Sequence, residues 1–420
     1  MIPEIPEASA APELLGDPAL VDADVPAAVG RTLERVLAER LEAARRIDPA
    51  FAKDVAGRVA HFTSSGGKRL RPRFLWWGLR ACAETLDADQ IRAALRLCVG
   101  LELIQTCALV HDDVMDGSPL RRGRQAVHVE LDARYGTSTS ASTRTNTTAR
   151  GAGASFGTSA AILVGDLALA WADDLVADTA LDAGTARTVR ALWQAMREEM
   201  VAGQYLDLHG QATGSRSLSR AARTATLKSA LYSVERPLAF GAALAGTDGR
   251  TTRALCAAGR CAGLAFQLRD DLLGVYADSD HTGKPAGDDI REGKATYLMA
   301  VARERAEAGA DHDSLAVLDA VLGGRAESTG LALDHVRGVL EATGARGIVE
   351  NRVRRLAAQS VRHLADAALP RKAAEAQLRE LFYLVSGVSG PLLAPTAAAA
   401  PVAAAAATAT ATAAREERNR

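Results

Sequence analysis

Residues 108–123 read Ala108-Leu109-Val110-His111-Asp112-Asp113-Val114-Met115-Asp116-Gly117-Ser118-Pro119-Leu120-Arg121-Arg122-Gly123. An apolar helical run ends in three carboxylates, followed by a Gly-Ser-Pro break and two adjacent arginines. On a helix Asp112 and Asp116 stand four apart and Asp113 and Asp116 three apart, so the three carboxylates are expected to converge on one side of a single turn. Three crowded anions repel one another unless a cation neutralises them. Mg²⁺ meets that need, because it takes oxygen ligands from one or two carboxylates and completes its shell with water and phosphate. Arg121 and Arg122 add forks of N–H donors suited to phosphate oxygens. A plain acidic helix end facing solvent would read the same way. What separates the two readings is a second acidic cluster in Phe266-Gln267-Leu268-Arg269-Asp270-Asp271-Leu272-Leu273-Gly274, again at the end of an apolar helical run. Two such helices face to face would enclose a cage for metal ions and a diphosphate.

The bulk of the chain agrees with a helical, cavity-building protein. Of 420 residues 48% are apolar and only 4% aromatic, with alanine and leucine dominant, which favours helix over sheet and supplies a large core. A net charge of -1 argues against a nucleic-acid partner, which would call for a basic stripe. The five cysteines, Cys82, Cys98, Cys107, Cys256 and Cys261, lie in apolar helical runs with no CxxC pair, so reduced core thiols in a cytoplasmic protein are expected. No basic-then-apolar signal segment is evident at the start. The best apolar run, Ala160 to Trp171, is interrupted by Asp166 and falls short of the roughly 20 residues a membrane span needs. No membrane anchor is expected.

Along the chain, residues 1–29 read as a mobile Pro- and Ala-rich leader, residues 30–390 as one domain, and 391–420 as a disordered Ala/Thr/Pro tail. Residues 136–156 are low in complexity and read as a surface insert. The periodicity predicts helices from Val29 to Ile47, from about Pro49 to the breaker-rich Thr63-Ser64-Ser65-Gly66-Gly67, over 88–116, and over 157–178, 184–207, 218–233, 236–246 and 250–274, with several more from 293 to about 389. No convincing strand is found. Gly67-Lys68-Arg69-Leu70-Arg71-Pro72-Arg73 places four cations behind two glycines at a helix start. That is either a basic surface turn or a phosphate-binding element. Gly203-Gln204-Tyr205-Leu206-Asp207 and Thr226-Leu227-Lys228-Ser229 put polar groups into apolar helices, and a glycine-rich loop carries Lys284 and Lys294.

These separated elements, in this order, resemble the trans-isoprenyl diphosphate synthase (polyprenyl synthetase) family. The motifs run from about Gly66 to Lys294 and the helical layout to about Leu384. The resemblance implies an all-α, single-domain fold of ten or more helices around a deep central cavity, assembled as a homodimer. It implies a prenyltransferase that condenses isopentenyl diphosphate with an allylic diphosphate in the presence of Mg²⁺, three ions to a site. By motif, Asp112, Asp113 and Asp116 would form the first metal cluster and Asp270 with Asp271 the second. Lys68, Arg71, Gln105 and Arg122 would hold isopentenyl diphosphate. Arg121, Lys228, Gln267, Lys284 and Lys294 would grip the allylic diphosphate, and Ser229 stands where the family has a threonine or serine. Lys228 and the aspartates Asp112, Asp113, Asp116 and Asp270 are the groups expected to act in catalysis.

One departure stands out. The second cluster usually reads DDxxD, and here its fifth position is Gly274; Asp278 or Asp288 is a candidate replacement. Chain length is set in this family by bulky side chains just before the first cluster, and here Cys107 and Ala108 are both small. Leu101, Ile104 or a residue on another helix would close the pocket lower down, about 12–17 Å along the helix for the first two. The C20 product, geranylgeranyl diphosphate, is expected, ahead of longer chains and of C15. A terpene cyclase would lack the Gly67–Arg71 element and would carry a different second metal site. A non-catalytic partner subunit of a synthase is the other alternative, and Gly274 is the one residue that points to it.

Overall fold

The helix that ends in the first acidic cluster runs Ala88–Asp116. Asp87 starts it with a capping box, its carboxylate accepting from the Gln90 N–H while the Gln90 side chain accepts from the Asp87 N–H. Gly117, at φ 63°, ends it. Leu95, Leu97, Leu101, Leu103 and Ile104 are all buried although they point in different directions. A helix apolar all round belongs in the middle of a fold. Its apolar stretch is long enough to cross a membrane by length and composition, and 78% of that window is buried inside the protein.

The structure, a computed structural model, describes residues 17–139, 155–214, 216–277, 287–323 and 333–389. Helices make up nearly all of them, and the all-α class expected from the composition is what forms. The unit that contains the site ends at Val388. Around the central helix pack Phe156–Ala177, Leu70–Cys82 and Val25–Ile47. The helix of the second acidic cluster, Gly249–Tyr276, packs on Ala345–Asp366 and on a π-helical run, Thr226–Glu235. This run also lies against Ala183–Thr213. Gly203 on Ala183–Thr213 allows the close approach: a Cβ there would collide with the backbone of Lys228.

Several expectations need correcting. The leader is not mobile throughout: Pro18–Ala23 and Val25–Ile47 are helices capped by Asp17 and Asp24. Val21, Val25, Ala28 and Val29 are buried, and Asp22 accepts from Trp76 Nε1 at 2.8 Å and from Arg80. Proline at the start of each helix and the polar caps are the local signals that were passed over. Residues 1–16 lie outside the described residues, as do 140–154 of the insert and 390–420 of the tail. Residues 136–139 complete the helix Val127–Thr139, and Phe156 opens the next one. The expected helices over 218–233 and 236–246 are one continuous rod, Leu218–Ala225, the π run Thr226–Glu235 and Arg236–Leu244. One two-residue hairpin, Leu120–Arg121 paired with Arg124–Gln125, is the β-structure among the described residues.

Candidate active site

The two acidic clusters line one cavity of about 790 Å³, to which Asp112, Asp270 and Asp271 contribute along with Arg71, Arg121, Arg122, Lys228 and Lys294. Gln105, Ser229 and Gln267 line it too. Asp112 is contacted by three side chains. Its Oδ1 accepts from Lys228 Nζ at 3.0 Å and Gln204 Nε2 at 3.2 Å, and its Oδ2 from Arg121 at 3.2 Å. Burial alone would raise its pKa, but Lys228, Lys294 and Arg121 outweigh that and hold it well below the usual carboxylate range. Lys228 also bonds Asp207 at 2.7 Å, so the GQxxD and Lys-Ser motifs meet at the first cluster. Burial disfavours the charge on Lys228, yet Asp112 and Asp207 raise its pKa overall.

The three aspartates of the first cluster do not converge as the helical spacing suggested. Asp113 turns into the protein, 1% exposed, and is gripped by Arg121 through Nε at 2.7 Å and through Nη2. It positions an arginine and offers no open ligand face. One residue round a helix is a turn of about 100°, which carries Asp113 off the face that Asp112 and Asp116 share. Asp116 has a buried side chain whose Oδ2 accepts from Lys294 Nζ at 2.7 Å. The same ammonium lies 2.6 Å from Glu292 and 4.0 Å from Asp289, which ties the first cluster to the loop beside the second.

In the second cluster Asp270 is exposed at the cavity and Asp271 is not. Asp271 accepts from Gln267 Nε2 at 2.8 Å and from the Tyr297 backbone N–H at 3.2 Å. Its pKa is pushed up to about 7 by burial in the first place, with Asp289 and Asp270 adding to it. Asp271 therefore fastens its helix to the start of Tyr297–Ala308 while still lining the cavity. At Gly274 a Cβ would stand 2.9 Å from Asp289 Oδ2. The side chain missing from position 274 leaves room that the Asp289 carboxylate fills. Of the two replacements expected for the fifth position, Asp278 lies outside the described residues and so does the side chain of Asp288.

The basic element is built on strain. Arg69 at φ 44° and Arg122 at φ 53° are two of the four non-glycine residues with positive φ among the described residues, a conformation retained where the surroundings enforce it. Arg69 pairs with the buried Glu102 at 3.4 Å. Arg122 donates to the carbonyls of Phe62, Ser65 and Gly66 at 3.3–3.4 Å, so it braces the glycine loop while also lining the cavity. Arg71 donates to Ser233 Oγ at 3.0 Å. Lys68 is exposed on the loop and is not part of the cavity wall; Lys284 lies outside the described residues. Asp289, Glu292 and Glu102 escaped the sequence reading, since no local pattern marks them. The only signal for Asp289 was the glycine opposite it.

Asp116 Oδ1 bears on whether Mg²⁺ fits. It is buried without a hydrogen-bond partner among the described residues, and the available donors are carboxylate oxygens, the hard ligands this ion prefers. Among the described residues no three carboxylate, histidine or cysteine groups converge tightly enough to bind a metal alone. An ion that takes one or two carboxylates and completes its shell with water and diphosphate needs no such triad. The residues fit. On the apolar side Cys107, Ala108, Leu169 and Met200 line the cavity, whereas Leu101 and Ile104 are packed into the core away from it. Burial pushes the Cys107 thiol up to about 12, so it serves as a small apolar group.

Comparison with known proteins agrees with this geometry. The sequence pattern of polyprenyl synthetases matches residues 53–330. A farnesyl diphosphate synthase of Geobacillus stearothermophilus is 33% identical over 281 residues, 64% of this chain and 80% of that protein. A geranylfarnesyl diphosphate synthase of Natronomonas pharaonis is 31% identical over 260 residues, 58% of this chain and 67% of that protein. Among solved structures, the geranylgeranyl pyrophosphate synthase of Corynebacterium glutamicum, complexed with isoprenyl diphosphate and magnesium, superposes with a TM-score of 0.74 at 34% identity, covering 85% of this chain and 98% of that one. With one cavity lined by Asp112, Asp270, Arg71, Arg121, Lys228 and Lys294, and with the family pattern matched over residues 53–330, the chain belongs to the polyprenyl synthetase family.

Proposed function

We propose that this prenyltransferase joins isopentenyl diphosphate head to tail to an allylic diphosphate and releases an all-trans prenyl diphosphate of twenty carbons. The observation that carries the reading is the single cavity in which Asp112 and Asp270 face Lys228, Arg121 and Lys294 above an apolar wall. Arg121, Lys228 and Lys294 hold the allylic diphosphate while its C–O bond breaks and the electron pair leaves with the diphosphate. Arg71, Gln105 and Arg122 hold isopentenyl diphosphate so that its alkene faces the allylic carbon and forms the new C–C bond, with Lys68, on the exposed glycine loop, adding positive charge. Asp112 and Asp116 in the first cluster and Asp270 with Asp289 at the second would hold Mg²⁺, which when bound would supply Lewis-acid neutralisation of the departing charge. Phe74, Leu169 and Met200 exclude water from the allylic cation until a proton is lost to the released diphosphate.

The twenty-carbon product is supported by the small Cys107 and Ala108 near the first cluster and by Leu169 and Met200 in the wall of the same cavity. Purified protein incubated with Mg²⁺, labelled isopentenyl diphosphate and the C5, C10 or C15 allylic diphosphate should give a dominant C20 alcohol after dephosphorylation and chromatography. A ladder of longer products would retain the chemistry and refute the length; no elongation from any starter would refute the function in favour of a non-catalytic partner subunit. In the same assay Cys107→Phe should shorten the main product by one or more five-carbon units with turnover retained. An unchanged product would remove this position from length control.

We further propose a homodimer in the cytoplasm. Phe156, Ile162 and Leu163 on Phe156–Ala177 are 51%, 42% and 57% exposed, an apolar row suited to the same row of a second copy. All five cysteines are free, as suits a reducing compartment.

A further inference from the structure

Four residues beyond Lys228, the π-helical run carries a tyrosine that no motif singles out. Tyr232 is 3% exposed and forms part of the cavity wall. The guanidinium of Arg71 sits over its ring, 4.2 Å from the centroid. The adjacent Ser233 accepts a hydrogen bond from the same guanidinium. Ring and hydroxyl together hold Arg71 from two directions, and Glu102, 8% exposed, places a buried negative charge near the same arginine. A guanidinium over a ring face is attracted by the ring's quadrupole, most strongly where water is excluded.

The polar end of Tyr232 is left over. Its hydroxyl is buried with no hydrogen-bond partner among the described residues, and Gln105 Oε1 in the wall of the same cavity is in the same condition. A buried polar group without a partner costs on the order of 1–3 kcal/mol. Such groups are rare enough in folded proteins that each asks for a cause. Burial raises the phenol pKa, so the group remains a neutral donor through the physiological range. A donor beside a guanidinium matches one kind of partner, an anionic oxygen already attracted by the arginine.

We propose that Tyr232 is a binding residue of the isopentenyl diphosphate subsite, its ring fixing Arg71 and its hydroxyl donating to an oxygen of the diphosphate that Arg71 grips. The proposal rests on the function given above. Tyr232→Phe keeps the ring and removes the hydroxyl; Tyr232→Leu removes both. Steady-state rates should be measured with isopentenyl diphosphate varied at saturating allylic diphosphate, and then the reverse. Tyr232→Phe should raise KM for isopentenyl diphosphate by about ten-fold, the loss of one hydrogen bond to a charged group, and leave KM for the allylic substrate within about two-fold. Tyr232→Leu should raise the former further. Calorimetric titration of isopentenyl diphosphate alone into each protein should show the same order of affinities without turnover. Unchanged affinity in Tyr232→Phe, or an equal rise in both KM values, would overturn the proposal. Wild-type protein that incorporates no isopentenyl diphosphate would instead refute the function on which it rests.

Discussion

Asp112 is the residue on which the others depend. Gln204, Lys228 and Arg121 all donate to it, from three different helices or loops. Asp112→Ala should lower kcat at saturating Mg²⁺ by at least about 100-fold, the usual scale for removing a group that stabilises developing charge. Near-normal turnover would dismiss its role at the metal cage. Gly274 stands in the second cluster where Asp116 stands in the first. Gly274→Asp would push a side chain into the space of Asp289 Oδ2, 2.9 Å from the new Cβ, and set two like charges together. The variant should lose about 1–3 kcal/mol of stability in urea unfolding and need more Mg²⁺ for half-maximal rate. Adding Asp289→Gly should restore much of both. Strictly additive effects of the two changes would show that the positions do not share one space.

At the scale of elements, the N-terminal helices and the π run decide how the site is held. Asp22 in Pro18–Ala23 fastens its helix to Leu70–Cys82, whose first turn carries Arg71. Arg80, its partner, is 5% exposed, so Asp22→Ala would strand a buried cation. The expected cost is about 2 kcal/mol, below the full value for a buried pair because Asp22 itself is partly exposed. Equilibrium unfolding would measure it, and an unchanged midpoint would mean the first helix is not docked in solution. The π run Thr226–Glu235 brings Lys228, Ser229, Tyr232 and Ser233 into the wall of one cavity. Apolar periodicity over 218–246 announces helix but not the i→i+5 bonding, because a change of helical pitch over one or two turns alters spacing by less than the pattern resolves.

For the molecule as a whole, the exposed row on Phe156–Ala177 is the face proposed for assembly. Leu163→Glu should shift the protein from dimer to monomer in sedimentation velocity, since a charge at the centre of a self-complementary apolar row is met by the same charge on the second copy. A dimer of wild-type stability would place the interface elsewhere. The helical class, both acidic clusters and the order of basic elements were legible in the chain, because local spacing along a helix determines which residues share a face and where runs begin and end. Which face turns toward the cavity was not. Asp113 carries the same side chain as Asp112, yet Arg121 draws it into the interior; Asp271 lines the cavity beside Asp270 but is buried, held by Gln267 and the Tyr297 N–H. The filling of the gap at Gly274 by Asp289, and the seat of Arg71 on Tyr232, join residues well separated along the chain. Sequence by itself determined the chemistry available and the helices that carry it. The rotation of those helices about their axes, set by packing between distant segments, was decided only in the tertiary structure, and that rotation selects the carboxylates that are exposed at the cavity.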